Sequence, residues 1–267
     1  MIVSVVRELN HIAVRTADMD AALHFYQGIL GGKIIRNAPG PDGKTQFAYV
    51  QLAEGVIELI KGQPGGSNLG LQHIAFLTAR SEDINSAADK ARARGYQFTV
   101  EPKAASSGDG YLCFFKDKGG AVWEFIQREE DIRVPGLENE RILEFDHIAV
   151  QVDDESCEDT KELVEGLLGM EFSRVLEKPG AVMSYYKLGP DRIMLYHVKD
   201  APRPDNPIVH FGLRVPCARA MYEYLTANGV EASEPRVAGL GGFYVVDAVG
   251  PDGERLMFLD RGPVEEF

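Results

Sequence analysis

Cysteine is scarce in this sequence: Cys113, Cys157 and Cys217 are the only three in 267 residues. They stand far apart, in none of the paired spacings that hold zinc or an iron–sulfur cluster. A disulfide-built fold is excluded, and the expected setting is a reducing cytoplasm. Long apolar runs are missing too, so no transmembrane helix is expected. The apolar start, Met1 to Val6, stops at Arg7-Glu8; it is too short for a secretion leader and reads as an edge strand or arm. Basic residues are outnumbered 28 to 41, for a formal net charge of −13. No Lys/Arg cluster offers a dock for a phosphate backbone or an anionic lipid surface. Neither nucleic acid nor membrane is therefore an expected partner; a small molecule is. The glycine-rich pieces Gly65-Gly66 and Gly239–Gly242 match no phosphate-binding loop and read as turns.

What the sequence does have is a repeat. The segments LNHIAV (9–14), LQHIAF (71–76), FDHIAV (145–150) and IVHFGL (208–213) each carry a histidine third. These are His11, His73, His147 and His210, separated by 62, 74 and 63 residues, and the longer middle gap leaves room for a linker. After each segment comes a helical stretch closed by glycine: Ala17–Leu30 before Gly31, Ser81–Arg94 before Gly95, Asp154–Leu168 before Gly169, and Cys217–Asn228 before Gly229. Strand-like runs follow, among them Thr45–Leu52, Gly55–Ile60, Gly110–Phe115, Ala121–Gln127, Phe243–Asp247 and Arg255–Asp260. Each repeat thus reads strand, helix, then about three strands. The charged stretch Arg128–Arg141, with Pro135-Gly136, lacks periodicity and reads as a linker. The expected division is an N-terminal module, 1–130, a linker, 131–143, and a C-terminal module, 144–267.

Four βαβββ repeats paired into two modules resemble the vicinal oxygen chelate superfamily over about 9–127 and 145–260. Glyoxalase I, methylmalonyl-CoA epimerase, extradiol dioxygenases, fosfomycin-resistance enzymes and bleomycin-binding proteins share that layout. The resemblance implies an α+β fold whose mixed β-sheets curve into a cup around each potential metal site.

Strand alternation puts Leu9, His11, Ala13 and Arg15 on one face of the first strand, and Leu71, His73 and Ala75 on one face of the fifth. Glu58 in Val56–Ile60 and Glu124 in Val122–Ile126 are carboxylates inside apolar strands. A lone carboxylate buried among apolar residues costs several kcal/mol unless it is paired or metal-bound. Two of them, on strands of histidine-bearing repeats, call for a common cation. The set His11, Glu58, His73 and Glu124 is therefore the candidate metal site. It is similar, position by position, to the ligand pattern of glyoxalase I; the epimerase has glutamine at the second place. Such donors suit one divalent ion, with Zn, Ni, Co, Mn and Fe(II) all open.

The second module is an internal control. The same spacing puts Met194 opposite Glu58 and Met257 opposite Glu124. A thioether is a poor ligand for a hard divalent ion, so the C-terminal site reads as degenerate.

The implied activity is that of a metal-dependent isomerase or lyase of the glyoxalase or epimerase type. The ion would hold a small α-hydroxycarbonyl compound, acidify the C–H beside its carbonyl and stabilise the resulting enediolate. Glu58 and Glu124 would be the catalytic acid/base pair, in an order that the resemblance leaves open. Arg15, four residues past His11, stands where glyoxalase I binds glutathione, and is the candidate contact for an anionic substrate tail. Gly62 stands where glyoxalase I has an asparagine. The alternatives are an Fe(II) extradiol-type ring-cleaving dioxygenase and a protein that sequesters a small molecule. Fusion of the two modules makes a monomer sufficient for one complete site, with a homodimer also open.

Overall fold

The computed structural model describes residues 4–39, 45–66, 68–80, 82–105, 110–238 and 242–261. The first three residues, Ser81 and most of the glycine-rich piece, 239–241, lie outside them.

The first repeat runs β1 (Val6–Thr16), α1 (Met19–Leu23), β2 (Lys33–Pro39), β3 (Thr45–Leu52) and β4 (Gly55–Lys61). The second runs β5 (Gly70–Thr78), α2 (Ile84–Ala93), β6 (Gln97–Ala104), β7 (Tyr111–Lys116) and β8 (Val122–Gln127). The third runs β9 (Glu144–Val152), α3 (Cys157–Glu162), β10 (Glu171–Lys178), β11 (Ala181–Leu188) and β12 (Asp191–Val198). The fourth runs β13 (Ile208–Arg214), α4 (Ala218–Ala227), β14 (Arg236–Val237), β15 (Tyr244–Val249) and β16 (Arg255–Leu259). They form two eight-stranded mixed sheets, ordered β2-β3-β4-β1-β5-β8-β7-β6 and β10-β11-β12-β9-β13-β16-β15-β14. The expected α+β architecture of four βαβββ repeats in two cup-like sheets is the one observed.

Local chemistry explains the helix limits. Asp18 and Asp83 cap α1 and α2, each side chain accepting two backbone N–H bonds of the first turn. Gly31, Gly95, Gly169 and Gly229 all take positive φ just past a helix, where a side chain would be strained. One feature departs from the sequence expectation. The first and third helices do not stay α-helical: His24–Ile29 and Leu163–Leu167 continue α1 and α3 as π-helix. There Leu30 N donates to Phe25 O and Leu168 N to Leu163 O, one residue beyond the α-helical step.

The chain falls into two compact units, each drawing on both sheets. The first unit gathers Met1–Ala13, Gln72–Asp131 and Ile148–Val209. In it the β7–β8 hairpin is pinned to α3: Asp117 Oδ2 accepts from Trp123 Nε1 and from Thr160 Oγ1. Trp123 is fully buried and stacks on Phe76. The second unit gathers Val14–Leu71, Ile132–His147 and His210–Phe267. In it the β15–β16 hairpin meets the first helix. Tyr26 Oη donates to Glu254 Oε1 at 2.7 Å, and Ala17 N donates to Asp252 Oδ1.

Candidate metal centre

On β1 the residues Ile12 and Val14 are fully buried on one face, which turns His11 to the other. β5 repeats the pattern with Ile74 and Phe76 around Ala75 and His73. β8 pairs with β5 in parallel, Ala75 opposite Glu124, with Trp123 and Phe125 buried on the far side. Three sequence-expected ligands therefore meet. His11 Nε2 and His73 Nε2 are 3.2 Å apart, and Glu124 Oε2 is 3.1 Å from each. Their side chains are almost wholly removed from solvent, at 1%, 7% and 3% exposure.

Glu58 lies on β4 opposite Tyr49 of β3, between the fully buried Ile57 and Leu59. It is half-buried, less enclosed than its apolar strand implied. Glu58 belongs to the second compact unit, whereas His11, His73 and Glu124 belong to the first.

Two residues that the sequence reading missed complete this geometry. Asn10 Oδ1 lies 2.8 Å from His11 Nδ1, and Arg128 Nη1 donates to the same Asn10 oxygen at 3.3 Å. Arginine only donates, so the Asn10 atom is the carbonyl oxygen, and His11 Nδ1 must carry the proton. That leaves the lone pair of His11 on Nε2, aimed at Glu124 and His73. The signal was present in the sequence: an Asx residue precedes the first histidine of each module, Asn10 and Asp146, and an arginine stands four places after Glu124 and Met257.

A cation fits this donor set. Glu124 Oε2 is buried and makes no bond of hydrogen-bond geometry among the described residues, although two ring nitrogens are within reach. Donors held at right angles about 2.1 Å from one ion would stand roughly 3.0 Å apart, close to the observed triangle. Buried lone pairs crowded in this way repel unless a cation or proton lies among them.

Arg15, half-buried near the end of β1, has a buried Nε without a hydrogen-bond partner among the described residues. Its stem packs on Gly62: a Cβ at Gly62 would lie 2.8 Å from Arg15 Cγ.

The C-terminal module keeps the histidines and loses the carboxylates. His147 Nε2 and His210 Nε2 are 3.1 Å apart, and Asp146 Oδ1 accepts from His147 Nδ1 at 2.6 Å. Burial pushes His210 down to about 3. Met194 is buried with Ala149 and Tyr185, and Met257 is half-buried on β16.

Comparisons with known proteins agree on the fold. A 2,3-dioxygenase, LapB, from Pseudomonas sp. KL28 superposes with a TM-score of 0.70 at 14% identity, over 99% of this chain and 96% of that one. The Mn(II)-bound glyoxalase from Novosphingobium aromaticivorans superposes with a TM-score of 0.73 at 17% identity, over 97% of this chain and 83% of that one. Among curated proteins, the lactoylglutathione lyase of Arabidopsis thaliana is 29% identical over 129 residues, 46% of this chain and 44% of its own length. The chain thus spans less than half of that plant relative. The probable lactoylglutathione lyase of Synechocystis sp. is 32% identical over 126 residues, 45% of this chain and 94% of its own. Among the described residues, no helix is long and apolar enough to cross a membrane. The family model for the glyoxalase/bleomycin resistance protein/dioxygenase superfamily matches residues 8–125 and 144–258, and the chain belongs to that superfamily.

Proposed function

We propose that the chain is a divalent-metal-dependent lyase or isomerase that moves a proton beside a substrate carbonyl. The observation that carries this reading is the convergence of His11, His73 and Glu124 on one point within 3.2 Å, inside a buried cup wall. Glu58 is the fourth ligand in this reading. It places the ion in the N-terminal module, residues 1–130, joined through 131–143 to the module at 144–267. A bound divalent ion supplies Lewis-acid polarisation of a carbonyl, with no redox change required.

The chain's own residues do the rest. His11 is fixed by Asn10 and serves only as a neutral nitrogen donor. Glu58 and Glu124 are the proton-accepting groups at the site: whichever takes the proton from the carbon beside the carbonyl then carries it and returns it to a neighbouring atom. Arg15, with a buried Nε that has no hydrogen-bond partner among the described residues, receives the anionic part of a small substrate.

The first experiment is elemental analysis of protein purified without chelator, beside the variant Glu124→Ala. One equivalent of divalent metal, lost in the variant, is the expected result. Proton exchange in D₂O is then screened on α-hydroxycarbonyl compounds. Glutathione adducts come first, because the relatives are named lactoylglutathione lyases. One equivalent of iron with oxygen uptake on catechols would replace this reading with the dioxygenase one. No metal after incubation with each ion would leave a binding protein.

A further inference from the structure

We propose that the C-terminal module holds a second metal site, built from His147, His210 and Met257, that takes a soft cation of the Cu(I) type. The starting observation is how little the histidine pair changes between modules. The ring centroids of His147 and His210 are 5.3 Å apart with Nε2 atoms at 3.1 Å; for His11 and His73 the values are 5.4 Å and 3.2 Å. Losing both carboxylates has not spread the imidazoles or turned them outward.

The orienting shell is kept as well. Asp146 can only accept, so the 2.6 Å contact puts the proton of His147 on Nδ1 and its lone pair on Nε2. Arg261 Nη2 donates to the other oxygen of Asp146, in a fully buried ion pair. That arrangement is the counterpart of Asn10 and Arg128 around His11. It fixes ring and tautomer, which is what a ligating histidine requires. Gly212 leaves the ring its room, since a Cβ there would lie 2.5 Å from His147 Cε1.

Met257 supplies the third donor. β13 and β16 pair in parallel with Gly212 opposite Met257, the same register as Ala75 opposite Glu124. Leu256 and Phe258 are buried on the far face, so Met257 turns to the face that Glu124 occupies in the first module. It remains half-buried, not locked into the core. Two neutral imidazoles and a thioether cannot offset the charge of a hard dication in a buried site. They do match a soft monovalent ion, which costs less to bury and prefers sulfur. Met194, enclosed by Tyr185 and Ala149, is left out of the ligand set.

The competing account is a plain N–H···N bond between the two histidines, in which Met257 has no part. The test uses the full chain carrying Cys157→Ser and Cys217→Ser, because those two thiols are not buried and would bind Cu(I) themselves. Glu124→Ala is added to disable the first site. Cu(I) is presented without oxygen against a coloured Cu(I) chelator. We expect one Cu(I) per chain and a sulfur neighbour in the copper X-ray absorption spectrum. Met257→Leu should remove the sulfur signal and weaken retention about tenfold or more, and His210→Ala should do the same. Leucine conserves volume, so Met257→Leu should keep the circular dichroism and thermal transition of its parent. Should Met257→Leu nevertheless unfold, His210→Ala together with the sulfur signal of the parent decides. No Cu(I) held against the chelator, no sulfur neighbour, or undiminished retention in folded Met257→Leu would overturn the proposal.

Discussion

Asn10 Oδ1 stands 2.8 Å from His11 Nδ1 and thereby decides which nitrogen of that ring can face a metal. Asn10→Ala removes the acceptor while leaving every proposed ligand in place. The expected result is a divalent-ion affinity about 10–100-fold weaker, measured by chelator competition. Asn10→Asp keeps the acceptor and should stay within a few-fold of the parent. Equal affinities for parent and Asn10→Ala would show that the ring is oriented by packing alone.

Arg15 and Gly62 form a second relationship, one of space. A side chain at Gly62 would displace the Arg15 stem, since even a Cβ comes within 2.8 Å of Arg15 Cγ. If Arg15 receives an anionic substrate group, Arg15→Met removes one charge-assisted contact, worth about 1.5–3 kcal/mol. KM for an anionic substrate should rise roughly 10-fold to 100-fold, with kcat little changed. Gly62→Asn should raise KM in the same direction. A fall in kcat at constant KM would assign Arg15 a different role.

Much of this molecule was legible in the sequence, because its signals are periodic and repeated. Four histidines in matching segments, four glycine-closed helical stretches and two carboxylates in apolar strands mark out β1, β4, β5 and β8 before any coordinates. The π-helical segments were not legible. Phe25, Tyr26 and Ile29 keep a spacing that also suits an α-helix, and a six-residue change of backbone step leaves no separate periodic trace. Asn10 was hidden by the same alternation rule that revealed His11. As the neighbour of His11 it belongs to the opposite strand face, yet its side chain reaches round to the ring. The pins between repeats, such as Tyr26 to Glu254, join residues 228 positions apart and have no local signature.

Glu254 gives a prediction about acidity. Burial first, then the charge of Asp252, raise its carboxyl above the ordinary carboxylate range, against the lowering effect of the Tyr26 hydroxyl bond. A carboxyl raised on folding binds more protons in the folded than in the unfolded state across that window. Stability then falls as pH rises from the ordinary carboxylate range through the raised value. Relative to Glu254→Gln, the parent should lose thermal stability steadily as metal-free protein is taken from about pH 5 toward neutrality. A difference that does not change with pH would show that Glu254 titrates alike in both states.

Asp117 makes the strongest stability prediction, because three donors depend on one carboxylate. Oδ1 accepts from Ala121 N at 2.9 Å, and Oδ2 from Trp123 Nε1 at 3.0 Å and Thr160 Oγ1 at 3.2 Å. The group is itself costly: burial raises its pKa, and these bonds offset only part of that. Deleting it still loses more than it relieves, because Trp123 is fully buried and its indole N–H would have no acceptor. Asp117→Ala should therefore cost about 2–4 kcal/mol, the penalty for stranding buried donors. Each kcal/mol lowers Tm by about 2–4 °C in a chain of this size class. Asp117→Asn keeps one acceptor oxygen, but its amide N–H₂ points at other donors, so it should fall between alanine and parent. Urea and thermal unfolding of the three proteins check the order. If alanine proves as stable as the parent, the hairpin is held by Trp123 packing on Phe76, and the carboxylate is incidental.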